Sequence, residues 1–188
     1  MSGPTGRRWR WRPRWRSSPP EGAVRRVFLG LGSNLGDRAG HLRAAVRALC
    51  RGPHLGVAAV SPVYETEPVE VEGEQPAYLN CVAELRCGLG PLELLRYCQG
   101  VEAALGRERK GEKAPRTLDI DILLFGEELL EHPELTIPHP GVERAFNLRC
   151  LADLDPGLYI PGRGGVSGLL AEADLEGVRA SGEVVEPC

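Results

Sequence analysis

Two carboxylates, Asp119 and Asp121, stand one residue apart in the segment APRTLDIDILLFG (114–126). In a β-strand, side chains at i and i+2 point to the same face, and a rise of about 3.3 Å per residue puts their Cα atoms ~6.5–7 Å apart. The intervening isoleucine then faces the core. Farther along the carboxylate face, Leu123 and Phe125 are apolar. The pattern therefore predicts two carboxylates near the start of a strand, where a sheet edge can open to solvent.

Two unpaired carboxylates at this spacing would repel each other, so a cationic partner is expected. One candidate is Arg116 or another basic side chain, which would make the pair a salt-bridged surface feature. The other candidate is a divalent cation, because Mg²⁺ prefers oxygen ligands and takes one or two carboxylates together with substrate phosphates. Two such ions about 3.5–4 Å apart could share the pair and hold a phosphoryl group during transfer.

Basic residues just upstream favour the metal interpretation. The segment 106–116 contains five of them: Arg107, Arg109, Lys110, Lys113 and Arg116. Phosphoryl transfer needs positive charge over the phosphates, and a basic loop that closes over the carboxylates would also exclude water. The chain has no G-x-x-x-x-G-K-[ST] motif, so it is not a P-loop enzyme.

The elements that must position these side chains follow from hydrophobic periodicity and from turn residues. Asp37 is a suitable N-cap, and Pro91 occupies the favoured first position of a helix. The predicted order is a strand at 27–31, a helix at 38–50, a strand at 57–66 with a bend at Pro62, a strand at 78–87, a helix at 91–105 and a strand at 117–125. After a turn at Gly126, we expect a loop that ends in IPHPG (137–141), a helix at 142–154, a short strand and a short helix near VSGLLAEA (166–173).

This order is that of a ferredoxin-like βαββαβ sandwich, so we expect an α+β fold with an extra C-terminal helix and a short strand. Residues 23–176 are expected to form the domain. Residues 1–22 have no periodicity and many breakers, which predicts a disordered Arg/Trp-rich tail. Residues 177–188 are expected to be a frayed C-terminus.

Charge is distributed unevenly along the chain. The first twenty residues contribute +6 and the whole chain carries −3, so residues 21–188 carry −9. All three tryptophans also lie in the tail. The tail could bind nucleic acid or an anionic membrane, be a solvated extension without a role, or result from a start codon placed too far upstream.

The six cysteines include no C-x-x-C pair. The N-terminus is basic but lacks the apolar region of a secretory signal, and no stretch reaches the ~18 apolar residues of a membrane span. The sequence therefore predicts a cytoplasmic protein with free, mostly buried thiols.

Four groups of motifs occur in order along the chain: GLGSNLGD (30–37), YETEP (64–68) with QPAYLN (75–80), PRTLDIDILLFG (115–126), and LTIPHP with ERAF (135–146). On these motifs the chain resembles the 6-hydroxymethyl-7,8-dihydropterin pyrophosphokinases of folate biosynthesis, from about Val27 to about Leu170. That family has the ferredoxin-like fold. It transfers the β,γ-pyrophosphoryl group of ATP to the hydroxymethyl oxygen of the pterin and releases AMP.

The resemblance also implies roles for individual residues. Asp119 and Asp121 would be ligands of two Mg²⁺ ions, and Arg107 and Arg116 would act on the triphosphate during transfer. The implied ATP-binding residues are Glu102, Arg109, Lys110, Ile122, Thr136, His139 and Arg144. The implied pterin-binding residues are Asn34, Thr66, Val69, Tyr78, Asn80 and Phe146. A flat aromatic ring with an amide-like edge suits stacking on Phe146 and pairing with Asn80.

Two other classes of function stay open. A metal-dependent nucleotidyltransferase can also carry paired aspartates on a ferredoxin-like sheet, and it would release pyrophosphate. A ferredoxin-like sheet can bind RNA through exposed aromatic side chains, but the acidic body argues against nucleic acid as a partner. We expect small-molecule substrates, no membrane partner and a monomer. Where many members of the family have RWGPRT, this chain has EKAPRT, so the tryptophan that would pack on the pterin is absent.

Overall fold

The computed structural model describes residues 23–67, 76–106 and 117–188, so the predicted N-terminal tail lies outside the described residues. The first part of the chain contains β1 (Arg25–Ser33), α1 (Arg38–Cys50), β2 (Leu55–Val60), β3 (Tyr64–Thr66), β4 (Tyr78–Cys87), α2 (Pro91–Ala104) and β5 (Asp119–Phe125). The rest contains β6 (Leu130–His132), β7 (Leu135–Ile137), α3 (Ala145–Leu154), β8 (Tyr159–Ile160), β9 (Gly164–Gly165), α4 (Val166–Glu172) and β10 (Val178–Ala180).

The first two helices begin where the capping residues predict. The Asp37 side chain accepts a hydrogen bond from the backbone N–H of Gly40 at 2.9 Å, which satisfies a free donor at the start of α1. At α2, the Glu93 carboxylate accepts from the backbone N–H of Gly90 at 2.7 Å, and Pro91 occupies the first turn. The start of each helix is therefore set by residues within its own first turn.

An antiparallel sheet forms the centre of the molecule, in the order β10-β3-β4-β1-β5. β2 and β3 pair with successive parts of β4, and the chain bends between them at Pro62, as predicted. Pro62 lacks a backbone N–H and so cannot donate to the ladder. The expected ferredoxin-like α+β fold is confirmed.

Both faces of the sheet are covered. The first face packs on α1 and α2, and its core includes Leu29, Leu42, Leu85, Leu94 and Ile122. The second face packs on α3 and α4, and its core includes Phe28, Val82, Leu124, Leu148 and Val166. We call these the α1/α2 face and the α3/α4 face.

A β-bulge changes one predicted alternation in β5. Phe28 is opposite Leu124 but Leu29 is opposite Ile122, so Leu123 is an extra residue in the ladder. Leu123 packs on the α3/α4 face and Phe125 on the α1/α2 face. The prediction that both share the carboxylate face is therefore wrong for Phe125.

The segment before α3 and the start of α3 itself differ from the prediction. β6 and β7 form a small hairpin in the stretch predicted as a loop. α3 begins at Ala145 instead of residue 142, because Arg144 has an extended backbone and Val142 donates to the His139 carbonyl in a turn.

The C-terminal segment is more ordered than a frayed end. β10 pairs with β3, and the buried side chain of Val185 belongs to the α1/α2 core. Cys188 forms a disulfide with Cys50 at the end of α1, with Cα atoms 6.3 Å apart. The predictions of a frayed C-terminus and of free thiols throughout are therefore wrong here, because both contacts join positions far apart in sequence. The other four cysteines are free and buried.

The longest helix among the described residues, α2, has 14 residues, and none of the described helices is long and apolar enough to cross a membrane.

Candidate active site

The two aspartates of β5 lie on the α3/α4 face of the sheet. Ile120 and Ile122 are buried in the α1/α2 core, so Asp119 and Asp121 point the opposite way, as the alternation predicts. The side chain of Asp121 is 44% exposed, which leaves its carboxylate accessible to a ligand.

β1 presents no side chain beside these carboxylates. Gly30 lies between Val82 of β4 and Asp121, and Gly32 lies between Asn80 of β4 and Asp119. Glycine within a strand can mark a close approach of a ligand to the backbone. The two glycines give β1 a strip without side chains on the carboxylate face of the sheet, which we call the glycine strip. The buried side chain of Leu123 lies over its Gly30 end, 3.4 Å from where a Cβ atom would stand, so Gly32 is the more open end.

Asn80 borders the glycine strip with an oriented amide. Its Nδ2 donates to Oγ1 of Thr66 at 2.8 Å, and both side chains are buried. Its Oδ1 faces the strip, since a Cβ atom added at Gly32 would lie 3.0 Å from it. Tyr78, half-buried, is opposite Thr66 on the same ladder. The structure thus brings these three predicted pterin-binding residues together.

Hydrogen bonds tie the loop after β1 to the start of β4. Asn34 is fully buried, and its Nδ2 donates to the Pro76 carbonyl at 3.4 Å. Arg38 donates to the Ala77 carbonyl at 2.6 Å and forms an ion pair with Glu65 at 3.1 Å. Asn34 therefore supports the site through the backbone that precedes Tyr78.

His139 lies beside Asp121 at the outer edge of β5. Its backbone N–H donates to the Leu123 carbonyl at 2.9 Å. Its Nδ1 accepts from the N–H of Gly141 at 3.0 Å, so in the neutral ring Nε2 carries the proton. Nε2 is 3.7 Å from Oδ1 of Asp121. The imidazole N–H therefore faces the carboxylate pair.

Glu102 of α2 supports β5 between the two aspartates. Its buried carboxylate accepts from the backbone N–H of Ile120 at 2.8 Å. Burial raises the pKa of the nearby Cys98 thiol to about 12, and the charges of Glu102 and Asp121 contribute to that rise. The side chain of Ile122 is in the core, so only its backbone could contact ATP.

The first turn of α3 lies next to the loop that holds His139. Nδ2 of Asn147 donates to the Gly141 carbonyl at 2.8 Å. Phe146 is half-buried on this turn, and Arg144 just before it is exposed. Thr136 of β7 is also exposed.

Five predicted site residues lie outside the described residues: Val69, Arg107, Arg109, Lys110 and Arg116.

The donor set fits Mg²⁺ held jointly with a substrate. Among residues 23–67, 76–106 and 117–188, no three Asp, Glu, His or Cys side chains are grouped so as to hold a metal ion by themselves. Two partly exposed carboxylates suit an ion whose other ligands are water and phosphate oxygens.

Gly30 and Gly32 were quoted within the GLGSNLGD motif but not predicted as site residues. Glycines at i and i+2 of a strand leave the same face bare, so the sequence did carry a signal for them. Arg38 was also missed, and its contacts with Glu65 and Ala77 depend on residues 27 and 39 positions away.

Comparison with known proteins gives one family. Residues 28–156 match the family described as 7,8-dihydro-6-hydroxymethylpterin-pyrophosphokinase (HPPK). The chain is 44% identical over 156 residues to a 2-amino-4-hydroxy-6-hydroxymethyldihydropteridine pyrophosphokinase of Pseudomonas aeruginosa, a match that covers 82% of this chain and 96% of that protein. It is 42% identical over 154 residues to the protein of the same name from Bacillus subtilis, with coverages of 81% and 88%.

Solved structures agree on the fold. The HPPK-DHPS wild type with pteroate from Plasmodium falciparum superposes with a TM-score of 0.63 at 14% identity, over 79% of this chain and 44% of that one. The present chain thus spans less than half the length of that protein.

Proposed function

The chain belongs to the 7,8-dihydro-6-hydroxymethylpterin-pyrophosphokinase family, and from this premise we propose which side chains bind each substrate. It is an ATP-dependent pyrophosphokinase of folate biosynthesis. In the proposed reaction, the hydroxymethyl oxygen of 6-hydroxymethyl-7,8-dihydropterin attacks the β-phosphorus of ATP. The bond between the β-phosphorus and the oxygen that links it to the α-phosphorus breaks, the hydroxyl loses its proton to water, and AMP leaves.

The pterin lies on the glycine strip. Oδ1 of Asn80 accepts a hydrogen bond from the edge of the ring, and the bond from Asn80 to Thr66 holds the amide in the orientation that permits this. Phe146 and Tyr78 supply aromatic surface beside the ring. Asn34 holds the loop that borders this pocket. Val69, in the segment outside the described residues, is proposed to complete the pocket.

Asp119 and Asp121 would hold two Mg²⁺ ions, which would neutralise charge on the phosphates and orient the β-phosphorus toward the hydroxyl. His139 would direct its Nε2–H toward phosphate oxygens beside Asp121. Glu102, the backbone of Ile122, Thr136 and Arg144 are proposed on the ATP side. Arg109 and Lys110 would bind the triphosphate, and Arg107 and Arg116 would stabilise its charge during transfer.

A single row of paired residues carries this proposal. Asn80, Gly32 and Asp119 are neighbours across β4, β1 and β5. Adjacent strands are ~4.8 Å apart, so the two flanking Cα atoms are about 10 Å apart. That span accommodates one bicyclic ring whose substituent reaches the carboxylates.

The deciding experiment mixes the protein with ATP, Mg²⁺ and 6-hydroxymethyl-7,8-dihydropterin and identifies the nucleotide released. We expect pterin-dependent AMP and the pterin diphosphate. Release of ADP would indicate an ordinary kinase, and release of inorganic pyrophosphate would indicate a nucleotidyltransferase. The predictions of a monomer, of a cytoplasmic location and of no nucleic-acid partner remain to be tested separately.

Gly32→Ala is expected to raise the KM for the pterin by about 10-fold, because the added methyl group would lie 3.0 Å from Oδ1 of Asn80 and occupy the strip. The KM for ATP should change by less than about twofold, since the added Cβ atom would meet Asn80 and Tyr78 but not the neighbouring Asp119. Steady-state kinetics with each substrate varied in turn measures both values.

Gly56→Ala is the matched control. Gly56 is also a strand glycine, in β2, and an added Cβ atom there would meet nothing within 4 Å. It should leave both KM values unchanged. If Gly32→Ala behaved like this control, the pterin would not occupy the glycine strip.

A further inference from the structure

Tyr64 of β3 joins the sheet to α3 through its hydroxyl. The hydroxyl donates to Oδ2 of Asp153 at 2.6 Å and accepts from Nε of Arg149 at 3.0 Å. Arg149 also forms an ion pair with Oδ1 of Asp153 at 2.9 Å, and its guanidinium lies 5.9 Å from the centre of the Tyr64 ring. These three side chains form a closed set of charge-assisted hydrogen bonds, which we call the Tyr64 network.

The Tyr64 network is formed at neutral pH. Burial raises the pKa of the Tyr64 hydroxyl, and its hydrogen bond to Asp153 raises it further. The hydroxyl therefore keeps its proton and can act as donor to Asp153 while it accepts from Arg149. The Tyr64 hydroxyl, the Arg149 guanidinium and the Asp153 carboxylate each bind another member of the network.

On the sheet side, the network holds the strand that carries the Asn80 contact. Tyr64 is opposite Asn80 in the ladder between β3 and β4. Thr66, two residues after Tyr64 and on the same face, accepts the hydrogen bond from Nδ2 of Asn80. A shift of β3 would therefore disturb the bond that orients the Asn80 amide.

On the helix side, the network contacts the side of α3 on which Phe146 also lies. Phe146 and Asp153 are seven residues apart, which is two turns or about 10 Å along the axis, so they share one side of the helix. The opposite end of α3 is attached through Asn147 to Gly141, next to His139 and Asp121. Phe146 thus lies on the first turn of α3, next to the Asn147 attachment and two turns from Asp153, so its position depends on how both ends of the helix are held.

We propose that Tyr64, Arg149 and Asp153 are positioning residues for the pterin, because they fix the distance between Phe146 on α3 and Asn80 on β4. This proposal rests on the proposed function, in which those two side chains contact the pterin ring. The network itself does not contact the substrate. Its effect should therefore appear in pterin binding and not in ATP binding.

Tyr64→Phe tests the proposal, since it removes only the hydroxyl and keeps the ring. We expect the KM for the pterin to rise by about 10-fold, as for other contacts that orient a binding group, while the KM for ATP and kcat change by less than about twofold. Asp153→Asn, which keeps the volume of the side chain, should raise the same KM. The double variant should be no worse than the more affected single variant, because both remove one network.

Further variants distinguish three ways in which the proposal could fail: a wrong pocket, no positioning role, or a purely structural role of the network. Tyr159→Phe alters a tyrosine that is 66% exposed in β8, and it should change none of these values. If Phe146→Ala leaves the KM for the pterin unchanged, the proposed pocket is wrong. If Phe146→Ala raises it but Tyr64→Phe and Asp153→Asn do not, the pocket stands and the positioning role is refuted. Equal rises in both KM values, or a lower melting temperature alone, would also refute it by indicating a purely structural role.

Discussion

Replacing either aspartate of β5 by alanine is expected to lower kcat by roughly 10³-fold, which corresponds to about 4 kcal/mol of transition-state stabilisation. The reason is that each variant would remove a ligand of the ions that neutralise the phosphates. The rate of AMP formation at saturating ATP and pterin, measured over a series of Mg²⁺ concentrations, provides the test. Partial recovery at high Mg²⁺ would support a role as metal ligands.

The same two substitutions should leave the fold intact. Both carboxylates lie on the face opposite the α1/α2 core, and each side chain is partly exposed. We therefore expect the melting temperature to stay within about 4 °C of the parent value.

Asp174→Asn is the matched control for the loss of one negative charge. Asp174 is exposed, and its Oδ1 accepts from the backbone N–H of Glu176, a bond that asparagine can also make. This variant should keep full activity. A wild-type kcat in both Asp119→Ala and Asp121→Ala would mean that the pair is a surface feature and that the metals are held elsewhere.

Cys188→Ser is expected to lower the free energy of unfolding by about 2–5 kcal/mol in the absence of reductant. The disulfide joins positions 138 residues apart, so it restricts a large part of the unfolded chain. It also anchors a segment in which Arg43 donates to the Val184 carbonyl at 3.2 Å and binds Glu183 at 2.6 Å. Chemical denaturation with and without a thiol reductant measures the difference.

Reductant provides the control for this prediction. The parent protein should lose the same stability when reduced, whereas Cys188→Ser should not respond. Thiol titration of the denatured, unreduced parent should find four free thiols, in keeping with the four cysteines outside the disulfide. Six free thiols and no response to reductant would show that the bond does not form in solution.

Much of the fold could be predicted from the sequence because its signals are local. Asp37 and Pro91 marked the starts of α1 and α2, and Pro62 marked the bend between β2 and β3. The alternation around Asp119 and Asp121 placed both on the face away from the α1/α2 core. Each of these features depends on residues within a few positions of one another, where dihedral preferences and side-chain periodicity act.

The features that were missed depend on partners distant in sequence. The bulge at Leu123 arises from the way β5 pairs with β1. β10 forms because residues 178–180 pair with the edge of β3. The disulfide requires the last residue to return to the end of α1. No local pattern encodes these pairings.

The sequence by itself determined the family, the order of the elements and the chemical types of the candidate site residues, since motifs and periodicity are read along the chain. Only the tertiary structure decided which of them are neighbours. The row of Asn80, Gly32 and Asp119 exists because three strands pair in one register. Tyr64 meets Asp153, 89 residues later, because α3 packs across the sheet. Such contacts form only when the core packs and fixes the distances between elements that are far apart in sequence.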